Sequence, residues 1–133
     1  MDKKDRIVIV DTCIWIEFFR GGNIISENLR QLITQERVSG TGVVLSELLQ
    51  GAKSNREQSA IMEIFDFIDY VEMTRITWIE VGKLSARLRA AGKTIPLSDI
   101  SVACCALKAN YLIYTIDSHF LEIPDIHLFK TIN

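Results

Sequence analysis

Hydrophobic positions along the chain alternate between continuous β-branched runs and helical spacing. Ile7-Val8-Ile9-Val10 is an unbroken β-branched run that stops at Asp11-Thr12, the pattern of a strand buried on both faces. Cys13 to Phe19 reads as a helix closed by Gly21-Gly22, and Ser26 to Gln35 carries Leu29, Leu32 and Ile33 at helical spacing. Val38 to Thr41 is a short strand leading into a helix over Val44 to Gln50. Asn55 is placed to cap the next helix, whose apolar stripe is Ile61, Ile64, Phe65 and Ile68. Tyr70 to Met73 follows as a third strand, and Thr77 to Ala91 as a long amphipathic helix with Gly92 past its end. Pro96-Leu97-Ser98-Asp99 opens a helix through Ala109 that is apolar nearly all round, as expected of a buried central helix. Tyr111 to Thr115 and Ile126 to Phe129 supply the last strands. Strands alternating with helices at these lengths predict one α/β domain over residues 1–133, a three-layer α/β/α arrangement with a central parallel sheet of about five strands.

Composition agrees with a single core. The 133 residues are 48% hydrophobic and 24% charged, a globular balance and too short a chain for two ordinary domains. The apolar run ending at Val10 is too short for a signal-peptide core or a membrane span, so a cytoplasmic location with no membrane contact is expected. Cys13, Cys104 and Cys105 form no C-x-x-C pair and read as reduced, mostly core thiols. A zinc site of Cys and His is disfavoured, because His119 and His127 have no Cys near them. The net charge of −2 argues against a tight nonspecific nucleic-acid binder but leaves room for a local basic patch.

Placed on these elements, four carboxylates share one edge of the sheet. Asp11 follows the first strand and Asp117 the fourth, Glu47 lies in the first turns of the helix after the second strand, and Asp99 sits at the N-terminus of the buried helix. Ligands of open α/β sheets bind outside the carboxyl ends of the strands, and a helix N-terminus favours an anion. Each acid also has an ordinary reading: Asp11 as a helix cap, Asp99 as dipole complementation, Glu47 as helix surface, Asp117-Ser118 as a turn. Two carboxylates about 5 Å apart repel by roughly 3 kcal/mol at an effective dielectric near 20. Four in one crevice therefore need a cation or raised pKa values. Hard oxygen ligands without imidazole or thiolate select Mg²⁺ or Mn²⁺ over zinc, and either ion can help water attack a phosphodiester.

The residues around these acids resemble a known family, the PIN-domain ribonucleases, and within it the VapC-type toxins of toxin–antitoxin pairs. The resemblance runs from Ile7 to about Phe129. It rests on four blocks in order: Val10-Asp11-Thr12-Cys13-Ile14-Trp15-Ile16-Glu17-Phe18-Phe19-Arg20-Gly21, Ser46-Glu47-Leu48-Leu49-Gln50-Gly51, Pro96-Leu97-Ser98-Asp99-Ile100-Ser101-Val102-Ala103, and Tyr114-Thr115-Ile116-Asp117-Ser118-His119-Phe120. The resemblance implies a metal-dependent endoribonuclease in which Asp11 and Asp99 are the principal ligands of Mg²⁺ or Mn²⁺. Asp117 would complete the coordination directly or from behind a ligand, and Glu47 would orient or deprotonate the attacking water. Thr115 matches the family's hydroxyl position beside the acids, and Thr12 is placed to cap the first helix and help fix Asp11. The partners implied are an RNA substrate, a VapB-type antitoxin that inserts a basic residue toward the carboxylates, and a second copy of the chain, with the helix from Asn55 to Ile68 as one possible interface or as core.

The pattern has two departures. Cys13 stands where Ser or Asn is frequent, which predicts a weaker hydrogen bond near Asp11. His119 stands where many relatives have a further acid, which favours one ion over two and suggests a structural or exposed imidazole, or one that contacts a phosphate. Arg20, Lys53 and Arg56 follow motif elements and are candidates for contact with the RNA backbone. Other readings fit less well. A response-regulator receiver needs an acidic pair after the first strand and a haloacid-dehalogenase phosphatase needs D-x-D, yet Thr12-Cys13 follows Asp11. A PIN fold that binds RNA or a partner without cutting stays open.

Overall fold

Val8–Val10 form the first strand (β1), and all three side chains are fully enclosed. The computed structural model describes residues 6–130. After β1 come α1 (Thr12–Arg20), α2 (Ile24–Thr34), β2 (Val38–Thr41), α3 (Gly42–Gly51), α4 (Asn55–Phe67), β3 (Asp69–Val71), α5 (Arg75–Ala90), α6 (Leu97–Ala109) and β4 (Leu112–Tyr114). A 3-10 helix, Ser118–Glu122, follows β4. The sheet is parallel throughout, with strand order β3-β2-β1-β4. β1 is held on both edges, Val8 opposite Val38 on one side and opposite Leu112 on the other.

That order has a functional consequence. The chain steps from β1 to β2 to β3 in one direction and then crosses back to lay β4 on the far side of β1. With right-handed crossovers, the reversal puts α5 and α6 on the opposite face from α1 and α2. It also opens a crevice between β1 and β4 at their carboxyl ends. The α6 helix enters that region from above the sheet, with Asp99 to Ala106 buried without interruption, as its nearly all-apolar sequence predicts.

The expected elements are present, with differences at the ends. Among the described residues the sheet has four strands and not five. Ile126 to Phe129 makes one parallel bridge, Leu128 to Ile113, held by bonds from Ile113 N–H to His127 O (2.9 Å) and from Phe129 N–H to Ile113 O (2.7 Å). It enters from a turn in which Asp125 takes φ 68°, and a single residue pair reaches ladder geometry. The cap of α4 is Ser54 and not Asn55: Ser54 Oγ accepts from Glu57 N–H at 3.1 Å, and Glu57 Oε2 accepts from the Lys53 N–H. Ser54-x-x-Glu57 is a capping signature in the sequence itself. Thr74 caps α5 by accepting the Thr77 N–H, so the helix begins at Arg75, two residues ahead of Thr77. The stripe on α4 faces inward, with Ile61 and Phe65 buried and Ile64 and Ile68 partly so, so core is its role here. The three cysteines are free thiols, two buried and Cys13 half-buried. Among the described residues no helix is long and apolar enough to cross a membrane.

One close approach locks α4 to the sheet. A Cβ built on Gly40 in β2 would lie 2.6 and 2.8 Å from ring carbons of Phe65 and 3.3 Å from Ile68. The Phe65 ring is buried and packed 5.2 Å, centroid to centroid, from Trp15, so it has no free direction in which to swing. Overpacking of this kind typically costs about 1–3 kcal/mol. Gly40→Ala should therefore lower stability in urea or thermal melts by that amount, and an unchanged midpoint would show that Phe65 repacks freely.

Candidate metal centre

Asp11 leaves β1 as the N-cap of α1, its Oδ1 accepting the Thr12 N–H at 2.9 Å. The capping reading and the site reading of Asp11 are thus compatible, since each uses a different oxygen. Its Oδ2 accepts from the Thr115 hydroxyl at 2.8 Å and from the Cys13 thiol at 3.4 Å. The long contact to sulfur is the weak bond expected of a cysteine at that position. Thr115 Oγ1 in turn accepts the Asp117 N–H at 3.0 Å. One hydroxyl therefore ties the end of β1 to the segment after β4. Asp11 itself is 6% exposed.

Asp99 and Asp117 meet at His119. Asp117 caps the 3-10 helix by accepting the His119 N–H at 2.9 Å, and the turn this makes folds the imidazole back over the acids. His119 Nδ1 lies 3.0 Å from Asp99 Oδ2 and 3.1 Å from Asp117 Oδ1. One ligand atom from each of Asp99, Asp117 and His119 lies within 4.8 Å of the others. Asp11 is coupled to the same cluster, because its charge is among those that raise the pKa of Asp99.

Electrostatics mark the cluster as short of positive charge. Burial pushes the Asp99 carboxyl up to about 6, helped by the charges of Asp117 and Asp11 and opposed by His119. The hydrogen bond to Asp99 raises the His119 imidazole above its ordinary value, with the negative charges of Asp117 and Asp99 adding to it. Converging carboxylate oxygens, one of them on a carboxyl with a raised pKa, form a donor set that fits a hard divalent ion. Asp99, Asp117 and Asp11 are the residues that would hold it, with His119 at ligating distance.

The other sequence candidates lie farther out. Glu47 is exposed on α3, and its Oε1 accepts from the Thr12 hydroxyl at 2.7 Å. Thr12 thus holds Glu47 and does not cap α1, because Asp11 already does. Arg20 is paired with Glu17 (2.7 Å) at the exposed end of α1, while Lys53 and Arg56 are exposed around the start of α4. Among the described residues none of these three makes a hydrogen bond or ion pair to the four acids. His119 is the residue that the sequence reading set aside. Its signal was the i, i+2 spacing from an Asp able to cap a tight turn.

Both shifted groups favour their protonated forms in the folded state. For Asp99, the folded protein keeps a proton between about pH 4 and 6 that the unfolded chain has lost, so stability falls as pH rises through that window. His119 adds to this from its ordinary pKa upward, its contribution disappearing as pH passes the raised value. Metal-free protein should therefore melt at lower temperature at pH 8 than Asp99→Asn does, relative to their difference at pH 4. Mn²⁺ should raise the wild-type melting temperature more at pH 8 than at pH 5. Equal Mn²⁺ stabilisation at both values would remove these groups from the site.

Comparison with known proteins identifies the family. The PIN domain profile matches residues 8–126. Ribonuclease VapC1 of Haemophilus influenzae strain R2866 is 29% identical over 126 residues, covering 90% of this chain and 94% of that protein. Two solved structures share the fold. VapBC2 from Rickettsia felis, bound to a DNA fragment from its promoter, aligns with TM-score 0.76 at 22% identity, covering 92% of this chain and 97% of that one. DNA-bound VapBC from Salmonella typhimurium aligns with TM-score 0.77 at 21% identity, covering 93% and 97%. With the profile spanning the whole sheet and every carboxylate of the crevice, the chain belongs to the PIN domain family.

Proposed function

We propose that this protein is a metal-dependent endoribonuclease of the toxin–antitoxin class, hydrolysing RNA phosphodiesters with Mg²⁺ or Mn²⁺ held by its carboxylates. The observation that carries the reading is the convergence of Asp11, Asp99 and Asp117 from three separate elements at the β1–β4 crevice, with Asp99 pushed up to about 6 among them. Membership of the PIN family and similarity to a ribonuclease named VapC1 support it. When bound, the ion would offset the negative charge gathering on the phosphate oxygens and ease deprotonation of water.

The remaining work belongs to the side chains. Asp11, fixed by Thr12 N–H and Thr115, presents an oxygen of constant orientation to the crevice. Asp99, at the first turn of α6, is stabilised as an anion by the helix N-terminus once a counter-charge is present. Glu47 is exposed but held by Thr12, next in sequence to Asp11, which suits it to orient a water and accept its proton. Arg20, Lys53 and Arg56 offer positive charge to an RNA backbone. The partner proposed is a VapB-type antitoxin, whose basic residue would be drawn to the same acidic crevice, and pairing with a second copy is part of the same proposal.

A panel of structured RNAs incubated with Mg²⁺ or Mn²⁺, against a chelator control, tests the reading. Loss of even an outer partner of a metal ligand typically costs about 10–100-fold, so Asp99→Asn should lose at least about a hundredfold in cleavage rate. Cleavage by Asp99→Asn at the wild-type rate would exclude the carboxylate–metal mechanism. Absence of cleavage of every RNA by the wild type would leave a PIN fold that binds without cutting. Thr12→Val, which frees Glu47, should lower the rate about tenfold while Mn²⁺ binding stays intact, and a matching loss of metal affinity would instead make Thr12 part of the metal's own support.

A further inference from the structure

His119 stands where the charge balance of the crevice calls for a cation, and its geometry is that of a ligand. We propose that its imidazole nitrogen binds the ion alongside Asp99 and Asp117, and that this nitrogen tips the site from Mg²⁺ toward a first-row transition ion such as Mn²⁺. The inference rests on the metal-site reading above and specifies its donor set.

Distances carry the first part. In octahedral coordination with bonds of about 2.1 Å, neighbouring donor atoms lie about 3.0 Å apart. His119 Nδ1 is 3.0 Å from Asp99 Oδ2 and 3.1 Å from Asp117 Oδ1, two edges of that length meeting at one nitrogen. The third separation also falls within 4.8 Å. The ring is anchored there from both sides. The His119 backbone N–H is bonded to the carboxylate of Asp117, and the adjacent Phe120 is 1% exposed, pinning the 3-10 helix to the core. The imidazole is nonetheless 45% exposed, so an ion arriving from solvent can reach it. A ring kept only for packing would be buried among apolar neighbours, whereas this one faces two carboxylates and water.

Donor chemistry carries the second part. Mg²⁺ is bound by hard oxygens and keeps several waters, whereas imidazole is a donor typical of first-row transition ions. Mn²⁺ is the member of that series that also shares the oxygen preferences of Mg²⁺. A site of carboxylates alone would discriminate weakly between the two, and one nitrogen shifts the ratio. The competing account is that His119 serves as a positive counter-charge in the metal-free protein and swings out when the ion enters.

Pulsed electron paramagnetic resonance on Mn²⁺-loaded full-length protein separates these accounts. Wild type should show ¹⁴N modulation from a directly bound nitrogen. His119→Asp and His119→Asn should lose it while still binding Mn²⁺, and His127→Asn should keep it. The ratio of Mn²⁺ to Mg²⁺ affinity, from displacement of bound Mn²⁺ by Mg²⁺, should fall at least about tenfold in His119→Asp. Melting temperatures in metal-free buffer check that both His119 variants fold. Bound Mn²⁺ without nitrogen coupling in the wild type, coupling that persists in His119→Asp, or an unchanged affinity ratio would overturn the proposal. Failure of the underlying site looks different: wild type would bind no Mn²⁺, or Asp99→Asn would bind it as tightly as wild type.

Discussion

Like charges forced together at the end of a buried strand are the constraint around which the rest of this molecule is arranged. Carboxylates at such separations repel by a few kcal/mol even at an intermediate effective dielectric, a large share of the stability of an ordinary domain. The fold meets the cost with directed donors. Asp11 takes a backbone N–H on one oxygen and a hydroxyl and a thiol on the other; Asp117 takes a backbone N–H and faces the imidazole; Asp99 sits at the N-terminus of α6. None of these donors carries a fixed full positive charge. The cluster is organised by these donors, and its carboxylates form a group that could hold a hard divalent ion.

Sheet topology is what makes the cluster possible. The reversal after β3 brings β4 alongside β1, so that Asp11 and Asp117 leave neighbouring strands with Thr115 between them. The helix that makes this crossing, α6, delivers Asp99 from its first turn. A different strand order would scatter the same acids over the sheet's edge.

Much of this was legible in the residues, because hydrophobic periodicity reports burial directly. The β-branched run at β1 and the nearly all-apolar α6 are both as enclosed as their sequences predict. The strand ends then located Asp11, Asp99 and Asp117 in one region. What periodicity could not give was side-chain contact between residues distant in sequence. That Thr12 holds Glu47 and leaves the capping of α1 to Asp11 depends on the relative placement of α1 and α3. The position of His119 depends on a 3-10 turn that has no hydrophobic period to announce it. Read as the absence of an acid, His119 looked like a loss; in space it fills the gap between two acids. A fifth strand was expected because Ile126, Leu128 and Phe129 satisfy the pattern, whereas the segment makes a single bridge to the sheet.

The hydroxyl of Thr115, which joins the end of the first strand to the segment after the last, also sets the order in which the site can come into being. Asp11 and Glu47 are synthesised before Asp117 and His119. Until β4 docks on β1, Asp11 has no hydroxyl to orient it and no acid opposite it. Domains emerge from the ribosome N-terminus first, so a nascent copy carries its earliest carboxylates in an unfinished crevice. Only completion of the fold, when β4 docks on β1, brings the carboxylates of the crevice together.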